Sequence, residues 1–354
     1  MTRGRRHDHP ARARERAAVL TASLALAALA LVLAWPAPIL LARAAWPSRA
    51  PATALLLWQA IALAGGLSMI GSLLTFGLIP FGGTLISGLG GFARALSHGI
   101  TTTPLVVVSI ASLSLAGVLA AHLLLNLALT LVVTERQRLR HRRLVELLSS
   151  PSATQPNTRV LDSAAPLAYC LPGNLGSITV LSRGLVSLLD DAELAAVVEH
   201  EKAHLIQRHY VVLLAFDAWR TSLPWFPIAT RAQHEVGLLV EMLADDTARR
   251  STDSRTLALA IALVAGGTPG RDGDPSGGTT LPGTPALAPA GVVRSATGIA
   301  YPADTRSHDR DRLRLTRLVD PPEPLTLAAR AGVIAVAVAL VAVPTVLLIA
   351  PSLA

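Results

Sequence analysis

The stretch His200-Glu201-Lys202-Ala203-His204 lies inside residues 192–209, which the sequence predicts as one helix. Histidines at positions i and i+4 project from the same helix face, so both imidazoles can bind one zinc ion. Glu201 is close enough to the first imidazole to take a proton from a zinc-bound water. The ordinary alternative is a solvated helix with surface His and Glu side chains. The zinc interpretation is favoured because residues farther along the chain complete the same site.

A catalytic zinc site needs a third protein ligand and one open position for water. Glu241, in a predicted helix over residues 229–250, is the candidate ligand. Asp245 follows four residues later on the same helix face, where it could hold the other nitrogen of a zinc-bound imidazole. His234, seven residues before Glu241, is an alternative ligand or a group that could stabilise an oxyanion. The ordinary alternative for Glu241 and Asp245 is a pair of solvent-facing carboxylates.

The composition indicates a membrane protein. Hydrophobic residues make up 51% of the chain, charged residues only 15%, and the mean hydropathy is +0.50. A helix needs ~20 apolar residues to cross the hydrocarbon core of a bilayer. Stretches of at least that length occupy residues 17–42, 52–78, 105–133 and 331–351. We therefore expect an α-helical protein with about four membrane spans and the lipid bilayer as a partner.

Three local features of the membrane region give further predictions. Pro36 and Pro38 should kink the end of the first span. The glycine-rich residues 82–91 could re-enter the membrane, although a plain loop is the expectation. His122 and Asn126, one helical turn apart in the third span, should serve an interhelical hydrogen bond rather than a polar pathway.

Composition also divides the chain into segments. These are a basic tail at residues 1–16, a region with three spans at 17–134, the domain with the zinc motif at 135–328, and a fourth span at 329–354. Within the domain, residues 266–302 are rich in Gly, Pro, Thr and Ser, which predicts a flexible insert. Short strands predicted at residues 165–173 and 177–182 give the domain an α+β character. The second strand could pair with an extended substrate, as edge strands do.

Arginines near the predicted spans bear on the orientation of the chain. Six lie in the N-terminal tail, five between residues 135 and 143, and five more close to the fourth span, at Arg310, Arg312, Arg314, Arg317 and Arg330. Cytoplasmic loops carry an excess of Lys and Arg, yet three spans place the tail and the domain on opposite faces. The larger number flanks the domain, so we expect the domain in the cytoplasm.

The same arginines account for the net charge of +8 without a nucleic-acid partner. Basic residues beside membrane spans contact anionic lipid headgroups. A nucleic-acid surface would combine basic residues with aromatic ones, which are only 4% of this chain. We therefore expect no direct nucleic-acid binding. The single cysteine excludes an internal disulfide and a zinc site made of several thiolates.

Three segments resemble the BlaR/MecR family of integral-membrane zinc peptidases, and among them the short actinobacterial members. They are Ala168-Tyr169-Cys170-Leu171-Pro172-Gly173, the zinc motif within residues 193–204, and Leu239-Val240-Glu241-Met242-Leu243-Ala244-Asp245-Asp246. The resemblance implies an inserted zincin-like metallopeptidase domain in the cytoplasm. It also implies that His200, His204 and Glu241 bind one zinc ion, that Glu201 is the general base and that Asp245 supports the site. The related CAAX prenyl proteases and HtpX-like peptidases share the zinc motif and the Glu-x-x-Ala-Asp pattern. One departure is His209, where many relatives carry Asp and where we expect a surface substitution.

The expected function is therefore a zinc-dependent endopeptidase that cleaves a protein or peptide, with a BlaI/MecI-type repressor as the first candidate on resemblance. The alternatives are a membrane quality-control peptidase of the CAAX or HtpX type and a non-catalytic receptor or scaffold that keeps the fold. Antibiotic-sensing relatives contain a Ser-x-x-Lys motif. The only lysine here is Lys202, and Glu199 stands three residues before it. We therefore expect no covalent binding of a β-lactam.

Overall fold

The computed structural model describes residues 8–152, 157–171, 177–222, 227–267, 292–294, 300–302 and 306–349. The helices are α1 (Asp8–Ala34), α2 (Pro36–Arg43), α3 (Pro51–Leu78), α4 (Leu85–His98), α5 (Pro104–Leu148), α6 (Arg183–Leu188), α7 (Asp191–Ile206), α8 (His209–Ser222), α9 (Pro227–Ala248), α10 (Ser254–Gly267), α11 (Arg306–Val319) and α12 (Leu327–Ile349). The strands are β1 (Ser149–Pro151), β2 (Thr158–Leu161), β3 (Ala168–Leu171), β4 (Ile178–Ser182), β5 (Val292–Arg294) and β6 (Ala300–Pro302).

Two units emerge from the contacts along the chain. The first comprises the described residues up to Ala128, Ala218–Glu235 and those from Leu325 onward. The second comprises Leu129–Asp217 and Val236–Pro324. The segment Ala218–Glu235 thus groups with the apolar helices, although it lies within the predicted domain at residues 135–328. The predicted segment boundaries themselves stay predictions.

Among the described residues, four helical segments are long and apolar enough to cross a membrane, as the sequence predicts. They cover Arg14–Arg43, Pro51–Leu78, Pro104–Leu148 and Leu327–Ile349. Large apolar side chains on these helices face outward; Leu31 and Leu124, for example, are 71% and 68% exposed. Apolar surface of this extent is costly in water and suits contact with lipid chains.

The first of these segments is interrupted near its end. Helix α1 stops at Ala34 and α2 starts at Pro36, with Trp35 between them at φ −126° and ψ −71°. Proline has no N–H and disfavours the helical conformation of the residue before it, so it begins a new helix more readily than it continues one. The predicted kink at Pro36 is confirmed.

Helix α3 packs against α1 and α12 along a face that contains glycines. A Cβ atom at Gly77 would lie 2.6 Å from Cγ of Leu113, and one at Gly71 would lie 3.1 Å from Cδ2 of Leu348. Small residues allow such close approach of helices where no water drives their association. The glycines of α3 therefore set the distance between this helix and its neighbours.

Polar residues of α5 contact the C-terminal end of α8. Nε2 of His122 lies 3.1 Å from the carbonyl oxygen of Ser222, and Nδ2 of Asn126 donates to the carbonyl oxygen of Ala218 at 2.8 Å. Both groups thus satisfy carbonyls at a helix end. This arrangement agrees with the predicted interhelical hydrogen bonds.

The expected plain loop at residues 82–91 is wrong for most of its length, because α4 begins at Leu85. Thr84 caps this helix: its hydroxyl accepts a hydrogen bond from the backbone N–H of Ser87, and the Ser87 hydroxyl accepts one from the N–H of Thr84. Such a reciprocal cap satisfies two N–H groups at a helix start. The high glycine content of residues 82–91 favours a loop, so the sequence pattern did not reveal this helix cap.

The second unit contains a four-stranded sheet in the order β1-β2-β4-β3. Strand β4 pairs parallel with β2 and antiparallel with β3. The two predicted strands are therefore present, but the expectation that residues 177–182 form an edge strand is wrong. Both edges of β4 are occupied, and β3 is the edge strand on that side. The antiparallel pair of β5 and β6 lies within the predicted insert, whose residues 268–291 and 295–299 are outside the described residues.

Helix α7 lies beside β3 in this unit and starts with a reciprocal cap. The Asp190 carboxylate accepts from the N–H of Glu193 at 2.8 Å, and the Glu193 carboxylate accepts from the N–H of Asp190 at 2.9 Å. The apolar face of α7 packs through Val197 against Leu181, Leu185 and Ala260. The cap fixes the residue at which α7 starts, and the packing fixes which face of the helix is buried; together they determine the direction in which His200 and His204 project.

Candidate metal centre

The two histidines of the zinc motif converge on one point. His200 and His204 leave the same face of α7, and their Nε2 atoms are 3.1 Å apart. Both residues are buried, at 7% and 4% exposure. Two unprotonated ring nitrogens this close repel unless a cation or a proton lies between them. The arrangement is thus the one that a shared metal ion requires.

Glu241 of α9 faces the same point. Its Oε2 atom lies 3.4 Å from Nε2 of His200, and its Oε1 atom lies 3.6 Å from Nε2 of His204. The ligand atoms of the three residues all lie within 4.8 Å of one another. The structure thus brings together the three predicted ligands, and metal binding by them stays a prediction.

Asp245 lies on the far side of His200, where the sequence predicts a supporting role. Its Oδ1 atom is 3.0 Å from Nδ1 of His200, and the residue is 1% exposed. An imidazole whose Nδ1 faces a carboxylate keeps its proton there and presents the lone pair of Nε2 to a metal. The geometry suits the predicted role, which remains untested.

Arg314 of α11 is a site residue for which the sequence predicts only a basic charge near a membrane span. Its Nε and Nη2 donate to the two carboxylate oxygens of Asp245 at 2.9 and 2.8 Å, and its Nη1 lies 3.1 Å from Oε2 of Glu241. A signal was present in the sequence, because Leu315 and Leu318 mark the apolar face of α11 and Arg314 borders it. Arg314 thus links the two carboxylates of α9.

The electrostatics of the site follow from its burial. Burial acts to raise the pKa of Glu241, but the nearby His204 and Arg314 outweigh it and hold that pKa well below its usual range. Burial likewise opposes ionisation of Asp245, yet Arg314 keeps its pKa low. Burial acts to lower the pKa of His200, and Asp245 and Glu241 raise it to about 10. The surroundings of His200 therefore favour positive charge.

Glu201 presents a carboxylate oxygen without a partner. Its Oε2 atom is buried and, within the described residues, accepts no hydrogen bond. Burial raises the pKa of this carboxyl. Unpartnered buried oxygens are costly, so they call for a bound water or ion. Two carboxylates, from Glu241 and Asp245, contact one guanidinium, that of Arg314.

His209 is not the surface substitution that the sequence suggests. It is 2% exposed and lies with Nδ1 3.0 Å from Nδ1 of His204. Burial, followed by the influence of His204, lowers the pKa of His209 to about 4. His209 is therefore a neutral ring inside the site at neutral pH. Nothing in the local pattern after the zinc motif distinguishes this ring from a surface one.

His234, the alternative ligand, lies half-buried on α9. Among the described residues, the group that could hold a metal ion consists of His200, His204 and Glu241 and does not include it. A role for His234 in stabilising an oxyanion stays a prediction.

Comparison with protein families gives one match: residues 134–244 match the model of Peptidase family M48. The matched region contains the zinc motif and Glu241 and ends just before Asp245. It supports a metallopeptidase of that family. No curated protein and no solved structure is significantly similar to the chain.

Proposed function

We propose that this protein is a membrane-embedded zinc-dependent endopeptidase with a zincin-like catalytic domain. The observation that carries the proposal is the convergence of His200, His204 and Glu241 beside the unpartnered carboxylate oxygen of Glu201. Two imidazoles and one carboxylate are a common ligand set of catalytic zinc, which leaves a position for water. The match to an M48 peptidase and the four apolar helices support the same conclusion.

The residues present fit a zinc ion by the chemistry of their ligand atoms. A zinc ion held by His200, His204 and Glu241 would lower the pKa of a bound water and polarise a substrate carbonyl. Asp245 fixes His200 with Nε2 directed at the site, and Arg314 holds Asp245 in turn. Because these partners already restrict the side-chain conformations of the ligands, little conformational entropy is lost when a metal binds.

Glu201 is the proposed general base. Its unpartnered oxygen accepts the proton of a water whose oxygen attacks the peptide carbonyl carbon, and its raised pKa lets it retain that proton. When the carbon–nitrogen bond breaks, Glu201 donates the proton to the departing amine. One carboxyl thus serves as base and then as acid, and the proton taken from water ends on the new N-terminus.

The substrate segment is proposed to pair with β3. This strand is at one edge of the sheet and lies beside α7, the helix with the zinc motif. Extended peptides add to free sheet edges through main-chain hydrogen bonds. This mode of binding requires a substrate with an unfolded or looped segment, since a helical segment cannot form such a ladder.

We propose a cytoplasmic regulatory protein as the substrate, with a BlaI/MecI-type repressor as the first candidate, and a signalling role in the cell membrane. The support is the number of arginines that flank the domain, together with the resemblance of the motifs. The same site would serve a quality-control peptidase, whose substrates are damaged membrane proteins. A receptor that keeps the fold without activity would have no chemical use for Glu201.

The decisive experiment compares Glu201→Gln with wild type and with Glu199→Gln. Glu199 is a half-exposed residue of the same helix, paired with Lys202, and is the matched control. Each form is co-expressed with the winged-helix repressor encoded nearest to it, and fragments of the repressor and of membrane proteins are detected. Glu201→Gln should keep zinc and lose activity by roughly 10²–10⁴-fold, whereas Glu199→Gln should behave as wild type.

The pattern of fragments separates the alternatives. Cleavage of the repressor favours signalling, and cleavage of membrane proteins alone favours quality control. Undiminished cleavage in Glu201→Gln would remove Glu201 from the mechanism. If wild type cleaves no protein, including itself, the non-catalytic receptor becomes the better interpretation.

A further inference from the structure

The second histidine of the zinc motif has a partner of its own. Nδ1 of His204 lies 3.0 Å from Nδ1 of His209, the first residue of α8, and the two rings meet edge to face. The chain reaches this position through a two-residue link in which Arg208 has a φ of 49°. Residues other than glycine adopt this left-handed conformation rarely. The link that brings His209 onto His204 is therefore built at a conformational cost.

The direction of the hydrogen bond follows from the role of His204. If its Nε2 lone pair faces the metal, the ring proton is on Nδ1, which must donate. Nδ1 of His209 is then the acceptor, and the proton of His209 is on its Nε2. That atom lies 2.6 Å from Oε1 of Gln207, a group that can only accept. The two nitrogens of His209 thus have defined roles: Nδ1 accepts from His204 and Nε2 donates to Gln207.

The chain of hydrogen bonds continues onto α9. With Oε1 of Gln207 directed at His209, its amide Nε2 donates to the hydroxyl of Thr247, and that hydroxyl donates to the carbonyl oxygen of Leu243 at 3.0 Å. Helix α9 also contains Glu241, the third proposed ligand. The connected groups therefore tie the position of the His204 ring to the helix that supplies Glu241.

The two histidines of the motif are thus held differently. His200 faces a carboxylate, that of Asp245, whereas His204 faces the imidazole ring of His209. We propose that His209, held by Gln207 and Thr247, is the positioning residue of His204 and fixes its ring with Nε2 directed at the metal. The inference rests on the proposed function, because it assumes that His204 is a ligand. Loss of a hydrogen-bonding partner of a ligand typically costs ~10–100-fold in metal affinity.

The test uses the full chain in detergent and measures zinc affinity by competition with a chelator. In His209→Asn, the amide oxygen is separated from Cα by the same number of bonds as Nδ1, so an acceptor remains. In His209→Phe, the ring volume remains and the acceptor is lost. The exposed His98 of α4 provides the control His98→Ala. The thermal midpoint of each chelator-treated protein is recorded as well.

We expect His209→Phe to bind zinc ~10–100-fold more weakly than wild type, and His209→Asn and His98→Ala to stay near wild type. The midpoint of chelated His209→Phe measures the cost of leaving Nδ1 of His204 without a partner in the absence of metal, and zinc affinities are compared only at a temperature where every variant is folded. Wild-type affinity in His209→Phe, or an equal loss in His209→Asn, would overturn the positioning role while leaving the proposed function intact. Absence of zinc from wild type would overturn the proposed function, and the inference with it.

A second pair of variants decides the matter if His209→Phe does not fold. Gln207 is exposed, so its replacement removes no core packing. Gln207→Leu removes the acceptor for His209 and should weaken zinc binding at the lower end of the same range, whereas Gln207→Glu keeps an acceptor and should restore it. Unchanged zinc affinity in Gln207→Leu would overturn the relay.

Discussion

The guanidinium of Arg314 donates two hydrogen bonds to the carboxylate of Asp245, from Nε to Oδ2 at 2.9 Å and from Nη2 to Oδ1 at 2.8 Å. Both side chains are buried, and Asp245 in turn faces His200. Two parallel hydrogen bonds between charged groups fix orientation as well as distance. Asp245, one helical turn after Glu241 on α9, is thus held by a residue that the zinc motif does not reveal.

Removal of Arg314 should destabilise the folded protein strongly. In Arg314→Leu, the buried carboxylate of Asp245 loses the guanidinium and keeps only His200 as a partner, and removal of one member of a buried ion pair typically costs ~3–5 kcal/mol in the free energy of unfolding. Arg317→Leu is the matched control, because Arg317 pairs in the same way with Asp246, which is 30% exposed and can be hydrated. Its cost should be about 1 kcal/mol or less. Denaturant unfolding of the chelator-treated protein measures the loss of stability in both variants. An equal loss in Arg314→Leu and Arg317→Leu would show that the burial of Asp245 does not matter.

Zinc content should follow the three proposed ligands. Purified wild type should hold about one zinc per chain, and His200→Ala and His204→Ala should each lose most of it, because an open catalytic site has only three protein ligands. His98→Ala, at an exposed position, should keep the metal. Elemental analysis of protein purified without added zinc provides the measurement. Unchanged zinc in the two site variants would show that the metal binds elsewhere.

Replacement of Arg208 by glycine should be tolerated. Its φ of 49° costs an arginine free energy that glycine does not lose. We expect Arg208→Gly to leave the thermal midpoint unchanged or to raise it. The matched control is Arg312→Gly, at an exposed position inside α11, where glycine should cost about 1 kcal/mol. A larger loss at Arg208 than at Arg312 would contradict the strained turn.

The orientation of the chain can be tested with reporter fusions. A reporter placed after Leu148, the last residue of α5, should report the cytoplasm, and one placed after Ala354 should report the opposite face. The reason is that one apolar helix, α12, separates the two positions. Alkaline phosphatase and green fluorescent protein fusions give complementary signals. Equal signals at the two positions would contradict the arrangement of four spans.

Local patterns predicted the parts of this protein that depend on local physics. The i and i+4 spacing of His200 and His204 and the apolar lengths of the spans each need only neighbouring residues, and the structure agrees with them. The helix with Glu241 was equally visible from its periodicity.

The rest depends on which elements meet. The order β1-β2-β4-β3, which makes β4 internal, results from a parallel pairing of β2 and β4 that no single strand pattern encodes. Arg314 contacts Asp245 across 69 residues of chain, and it lies among other arginines, Arg310, Arg312 and Arg317, from which the sequence alone does not distinguish it. His209 was misjudged because its burial is set by a left-handed turn at an arginine, where sequence patterns expect glycine or asparagine.

The unsatisfied polar atoms of the buried site link the protein's lifetime to the supply of metal. Without a cation, the facing ring nitrogens of His200 and His204 and the unpartnered oxygen of Glu201 lie in a region with little water. A ligand that binds only the folded state stabilises it by about 2.7 kcal/mol at a hundredfold excess over its dissociation constant. Chains that lack zinc should therefore open more often and be degraded sooner by other proteases. The cell would then hold less of this protein when zinc is scarce, with no change in its synthesis.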